Sequence, residues 1–117
     1  MQTKRVVVTG IGALTPIGNS LQEYWQNLLA GVSGAAPITL FDAEKFKTRF
    51  ACELKGFDPT SFLEKKEARK LDRFTQIALG ASDQAVADAG LSGENINKDR
   101  VGAVSYTHLT LPTNREV

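Results

Sequence analysis

A chain of 117 residues with one cysteine, one histidine, one methionine and one tryptophan is poor in the side chains that carry most redox, metal and nucleophilic chemistry. Cys52 has no second thiol to pair with, so an internal disulfide is excluded, and a lone thiol fits a reducing compartment better than a secreted scaffold. No apolar run approaches the roughly 18–20 residues that a membrane-spanning helix needs. The start, Lys4-Arg5 followed by Val6-Val7-Val8, has the outline of a secretory signal, but Thr9, Gly10, Gly12 and Pro16 interrupt it. The expectation is a cytoplasmic protein with its native start and no membrane association. An excess of charge is lacking as well. Fourteen basic residues against thirteen acidic ones leave a net charge of +1, too little for a long-range field that would gather nucleic acid or an anionic membrane. Any site that reads charge must therefore be local.

What is present is ordinary globular usage, 42% hydrophobic and 23% charged, which argues against disorder or a coiled coil and leaves room for one folding unit or part of one. Arg5 to Thr9 is a short β-branched run closed by Gly10-Ile11-Gly12, the pattern of a strand buried on both faces. The loop from Gly10 to Asn19 is rich in turn formers and meets a helix start. Ser20-Leu21-Gln22-Glu23 is a capping box, Leu21, Tyr24, Trp25, Leu28 and Leu29 follow at helical spacing, and Gly31 stands where a helix ends at C′. Residues 32–48 read as loop with one short turn near Ala43 to Phe46. Arg49 to Leu54 alternates as a short strand, which puts Cys52 in half-buried packing. From Ser61 the pattern predicts a helix through to Asp88, with Gly90 as its stop and an alanine-rich second half around Gly80 that suits close approach to a neighbour. Arg100 to Val104 reads as the start of another strand. This order of elements belongs to a layered α/β fold.

The glycine loop invites a nucleotide-binding reading, which its spacing refuses. A Gly-x-Gly-x-x-Gly fingerprint starting at Gly10 needs glycine where Thr15 stands, and the related pattern needs glycines where Leu14 and Pro16 stand. Cys52 sits inside an expected strand rather than at a helix amino terminus, where the dipole would favour a thiolate. The sole histidine, His108, has no partner at metal-ligand spacing. Neither a catalytic residue, a metal site nor a cofactor is assigned from these residues. The Lys65-Lys66-Glu67-Ala68-Arg69-Lys70-Leu71-Asp72-Arg73 run is different. On one continuous helix Lys66, Arg69, Lys70 and Arg73 recur at i, i+3, i+4 and i+7, giving a cationic face suited to an acidic partner. The alternative is a solvated face balanced by Glu64, Glu67 and Asp72.

The segment from Arg5 through Thr9-Gly10-Ile11-Gly12 to Asn19 resembles the opening of condensing enzymes of the β-ketoacyl-acyl carrier protein synthase II type. So do, in order, Trp25 with Leu28 to Gly31, Ser33-Gly34, Phe41-Asp42, Phe50-Ala51 and Lys66 to Phe74. The resemblance covers residues 1–103. It implies a partial thiolase-like α/β fold, a homodimer in the intact parent, and decarboxylative condensation of malonyl-acyl carrier protein with an acyl thioester in fatty acid synthesis. It also implies that Lys66, Arg69 and Lys70 help dock the acidic acyl carrier protein. The nucleophilic cysteine, two histidines and supporting lysine of such enzymes lie beyond this chain's last residue, so the chain itself is expected to be catalytically inactive. A carrier-binding module without catalysis is the alternative. Residues 104–117 depart from the pattern, and Val104 to Leu109 looks like one reading frame of a sequencing adapter. This tail is expected to be a read-through rather than family sequence.

Overall fold

Local signals set the first helix. In the computed structural model, which describes residues 2–105, α1 runs Leu21–Leu29. Ser20 is its N-cap, with extended backbone and a hydroxyl that accepts from the Glu23 amide at 3.2 Å. Glu23 turns back as the capping box requires but takes the Asn19 amide, 2.9 Å from Oε2, one residue before the cap. The other end closes on Gly31 at φ +70°. Val32 donates to the Asn27 carbonyl at 3.0 Å and Gly31 to that of Leu28 at 3.2 Å, the paired bonds of a Schellman motif that satisfy two otherwise orphaned carbonyls.

A small antiparallel pair follows. β1, Ala36–Pro37, lies beside β2, Phe50–Ala51, with Ala36 opposite Ala51 and Pro37 opposite Phe50. The strand expected over Arg49 to Leu54 is thus cut to two paired residues. Beyond them a side chain replaces the ladder: the Glu53 carboxylate accepts from the Thr39 hydroxyl at 2.8 Å and from the Thr39 and Leu40 amides at 3.2 and 3.3 Å. The turn expected near Ala43 to Phe46 forms, closed by the Phe46 amide on the Ala43 carbonyl at 3.0 Å.

The helix expected from Ser61 to Asp88 is divided. A 3-10 turn at Pro59–Ser61, capped by Asp58, comes first. Then come α2, Lys65–Ala68, and α3, Arg73–Asp88. Asp72 interrupts the run because its backbone is extended, at φ −65° and ψ 154°, in the N-cap position of α3. Two signals for this division were in the sequence: Asp58-Pro59 is a turn opener, and an aspartate directly before Arg73-Phe74 is a helix start. α3 ends as expected, with Gly90 at φ +63° and a second Schellman pair, Leu91 to Val86 at 3.1 Å and Gly90 to Ala87 at 3.1 Å.

The strands expected at Arg5 to Thr9 and Arg100 to Val104 do not form as ladders among the described residues. A strand buried on both faces depends on neighbours on both edges, and here Val6 is 90% and Val8 80% exposed. The segment just after them is nonetheless anchored, by side chains. The Ile11 amide donates to Asp88 Oδ2 at 2.9 Å and the Ala13 amide to Gln84 Oε1 at 3.0 Å. Gly10 and Gly12 lie against the α3 backbone at Ala81, Ala85 and Ala89, so near that a Cβ on either would overlap main-chain atoms. The alanine-rich half of α3 is therefore a ridge for close approach, and the glycines that read as turn formers are contact glycines.

Core burial among the described residues is slight. The buried hydrophobics are Ala13, Ala43 and Ala68, and no large side chain is fully enclosed. Polar side chains knit the rest together. Gln84 Nε2 donates to the Asn19 carbonyl at 2.7 Å, Asn19 Nδ2 to the Lys55 carbonyl at 2.7 Å, and Lys55 Nζ to the carbonyls of Pro16 and Gly34 at 3.0 and 2.9 Å. Among the described residues no helix is long and apolar enough to cross a membrane.

Candidate functional site: a basic elbow between two helices

The cations singled out from the sequence meet at the joint between α2 and α3. Lys66 lies in α2, Arg69 is its C-cap at φ −68° and ψ −19°, and Lys70 is in the turn that follows. All three are exposed. The single helical face expected for Lys66, Arg69, Lys70 and Arg73 is corrected, because α2 ends at Ala68, Asp72 is extended and α3 begins only at Arg73. Spacing at i, i+3, i+4 and i+7 aligns side chains only along an unbroken helix. The three cations instead flank one turn of helix and its exit.

Arg73 is drawn out of the group by a different interaction. Its guanidinium carbon sits 4.7 Å from the centroid of the Phe57 ring, a cation–π contact. Phe57 in turn packs on Phe62, with ring centroids 6.0 Å apart. This aromatic pair lies between the 3-10 turn and α3, and beside it a cavity of about 290 Å³ is lined by Leu14, Asn19, Phe57, Asp58, Phe62 and Gly80. Asp58 is a structural cap. Its carboxyl is held below the ordinary aspartate value, first by the Thr60 hydroxyl at 2.7 Å and then by the Thr60 amide at 2.9 Å.

Sequence reasoning passed over the side chain that fixes the elbow. Gln76, in the first turns of α3, donates from Nε2 to the Ala68 carbonyl at 2.7 Å and reaches the Leu71 carbonyl at 3.4 Å. Ala68 O belongs to the last turn of α2, where carbonyls lack i+4 partners, and its backbone donor is the Leu71 amide at a long 3.4 Å. The available signal was weak: Gln76 precedes Ile77 in the sequence but lies off the expected apolar stripe, and nothing local marks the carbonyls it bonds.

The other candidates resolve differently. Cys52 follows β2 directly and is exposed rather than half-buried, and it is not at a helix amino terminus. His108 and the rest of residues 106–117 lie outside the described residues. The glycine loop offers no cradle, since Gly10 and Gly12 are covered by α3 and Thr15 pairs with Gly18 through backbone bonds of 2.8 and 3.2 Å.

Known proteins match most of this chain. The sequence model described as "Beta-ketoacyl synthase, N-terminal domain" matches residues 3–109. The chain is 52% identical over 107 residues to 3-oxoacyl-acyl-carrier-protein synthase 2 of Synechocystis sp., covering 92% of this chain and 26% of that protein. It is 47% identical over 102 residues to the protein of the same name from Coxiella burnetii, covering 87% and 25%. The Staphylococcus aureus protein of that name is 48% identical over 101 residues, covering 86% and 24%. Among solved structures, "The ishigamide ketosynthase/chain length factor" superposes with a TM-score of 0.70 at 40% identity, over 77% of this chain and 22% of the other. The chain thus spans about a quarter of the length of the relatives it matches.

Proposed function

Because the chain belongs to the β-ketoacyl synthase family, whose amino-terminal domain its residues 3–109 match, we propose that it is the scaffold and carrier-docking part of a 3-oxoacyl-acyl carrier protein synthase. Its fold is the corresponding portion of a thiolase-like α/β fold. The activity of the whole protein in this reading is acyl transfer in fatty acid synthesis. A thiolate takes the acyl group from its donor thioester and releases the donor thiol, and malonyl-acyl carrier protein then loses carbon dioxide as its carbanion attacks the acyl-enzyme carbonyl and expels the thiolate. One cysteine and one histidine in 117 residues do not make the cysteine and two histidines such a reaction uses in this family. Catalysis is accordingly assigned to none of the residues here. A cytoplasmic homodimeric parent, and a family boundary at residue 103 with a read-through tail at 104–117, complete the reading; the native gene sequence past codon 103 tests the boundary.

The observation that carries the docking part is the exposure of Lys66, Arg69 and Lys70 around one short helix and its C-cap. Three exposed cations within five residues suit an acidic carrier protein. The test is binding of this chain to acyl carrier protein by fluorescence anisotropy at low and moderate salt. Reversing two charges, Arg69→Glu with Lys70→Glu, is expected to weaken binding at least about tenfold at low salt, with the difference shrinking as salt rises. Equal affinity of the double variant at low salt would remove the docking assignment. Carrier binding without any carbon dioxide release from malonyl thioester supports the scaffold reading, and turnover by the purified chain alone overturns it.

A further inference from the structure

We infer that Gln76 is the positioning residue of the basic elbow, the group that converts three flexible cations into a surface with a set shape. The inference rests on the carrier-docking reading above and adds to it a residue that carries no charge.

α2 is one turn long. A helix of that length has no stability of its own, because nucleation costs more than one turn of hydrogen bonds returns. Something outside it must hold it. Its cations cannot, since their side chains are exposed. Two features can. Ala68 is 5% exposed, so the inner side of α2 is seated against the protein. The carboxyl end is tied down by Gln76, whose amide spans the turn to reach Ala68 O at 2.7 Å and Leu71 O at 3.4 Å. Gln76 is itself fixed on α3, its backbone amide donating to the Asp72 carbonyl at 3.1 Å, and its side chain is half-buried. Among the described residues it is the one side chain that bonds the backbone of residues 64–71. Lys66, Arg69 and Lys70 all lie within four residues of the carbonyls it holds, so their Cα positions follow from this latch.

The consequence concerns shape rather than charge. A docking surface with fixed backbone loses less conformational freedom on binding than one that must be ordered by its partner. Without the Nε2 donor, the Ala68 carbonyl keeps only the 3.4 Å bond from the Leu71 amide and the turn of α2 frays, while the number of cations stays the same. Affinity then falls, but the dependence on salt, which counts charges, keeps its slope.

Gln76→Met keeps side-chain length and helix propensity but cannot donate. Gln84→Met is the matched control, since Gln84 is also a half-buried glutamine of α3 but bonds Ala13 and Asn19, away from the elbow. Binding of each 117-residue variant to acyl carrier protein is measured by anisotropy across salt, with amide chemical shifts of residues 66–71 alongside. The expected result is a roughly fivefold weakening for Gln76→Met, the size of one hydrogen bond, with unchanged salt slope, shifted amides in residues 66–71, and little change in affinity for Gln84→Met. Equal weakening by both variants would overturn the inference in favour of general destabilisation. Unchanged affinity for Gln76→Met while Arg69→Glu with Lys70→Glu still weakens binding would overturn it and leave docking intact. No effect of the charge reversal removes the docking reading and this inference with it.

Discussion

Gly12 gives the sharpest test of how the chain is packed. A Cβ built there stands 2.9 Å from the Ala81 carbonyl carbon and 2.9 Å from the Ala85 nitrogen, and nearer still to the Ala81 oxygen. Carbon contacts settle at roughly 3.5–4.0 Å, and the Ala81 oxygen is the tightest contact, so Gly12→Ala forces the 10–14 segment and α3 apart by more than about 1 Å. These are main-chain atoms, and no side-chain rotation relieves them. α3 is not backed by a dense layer on its far side, where Leu79 and Val86 are exposed, so it yields by moving outward rather than by storing strain. The displacement stretches the two bonds that tie the segment to α3, from the Ile11 amide to Asp88 and from the Ala13 amide to Gln84. Each is worth about 0.5–1.5 kcal/mol. Against this, alanine restricts the unfolded chain and returns about 0.4–1 kcal/mol. The balance is a loss of about 1–2 kcal/mol. Gly102→Ala is the control, because nothing lies within 4 Å of a Cβ there and its φ is not positive; it is expected to be neutral or stabilising by a few tenths of a kcal/mol. Urea unfolding followed by far-UV circular dichroism measures both, with hydrogen exchange at the Ile11 and Ala13 amides as the local readout. If Gly12→Ala matched Gly102→Ala in stability and left both amides as protected as before, the close approach of the loop to α3 would be wrong.

Gln84→Leu removes the donor and acceptor that join Ala13 and Asn19, leaving an amide and a carbonyl unpaired; a loss of about 1–3 kcal/mol in urea unfolding is expected, and a change below about 0.3 kcal/mol would contradict the bridging role. Glu53 is held below its ordinary value of 4.5 first by the Thr39 hydroxyl, then by the Thr39 and Leu40 amides and by Lys55. A carboxylate whose pKa is depressed on folding stabilises the folded chain fully above its unfolded value, and that contribution fades as pH falls through the folded value. Carboxyl NMR titration is therefore expected to place Glu53 below 4.5 and to return it upward in Thr39→Val, whereas a Glu53 value at or above 4.5 in the parent chain would refute the clamp.

Part of this protein was legible from neighbouring residues alone. Ser20 before an apolar periodic run, Gly31 after that same run and Gly90 after a second specify helix ends whose bonds span no more than five residues. The family likewise follows from motifs in order, since Arg5 to Asn19, Trp25 to Gly34 and Lys66 to Phe74 need no contact to be recognised. The positions of Lys66, Arg69 and Lys70 were found the same way. Their arrangement was not. Charge spacing assumed one helix, but a single extended residue, Asp72, and a glutamine reaching across the turn break that helix into an elbow.

What tertiary structure decided are the features that depend on partners distant in sequence. Val6 and Val8 have the composition of a buried strand, yet a strand takes its hydrogen bonds from neighbours, and composition cannot supply them. Gly10 and Gly12 read as turn residues until α3, some seventy residues later, is seen lying against them. Backbone conformation over a few residues is governed by local sterics and capping, so the sequence determined it by itself. Whether a glycine serves a turn or a contact, and whether an apolar run becomes a strand, is governed by which surfaces meet, and only the folded chain settles that.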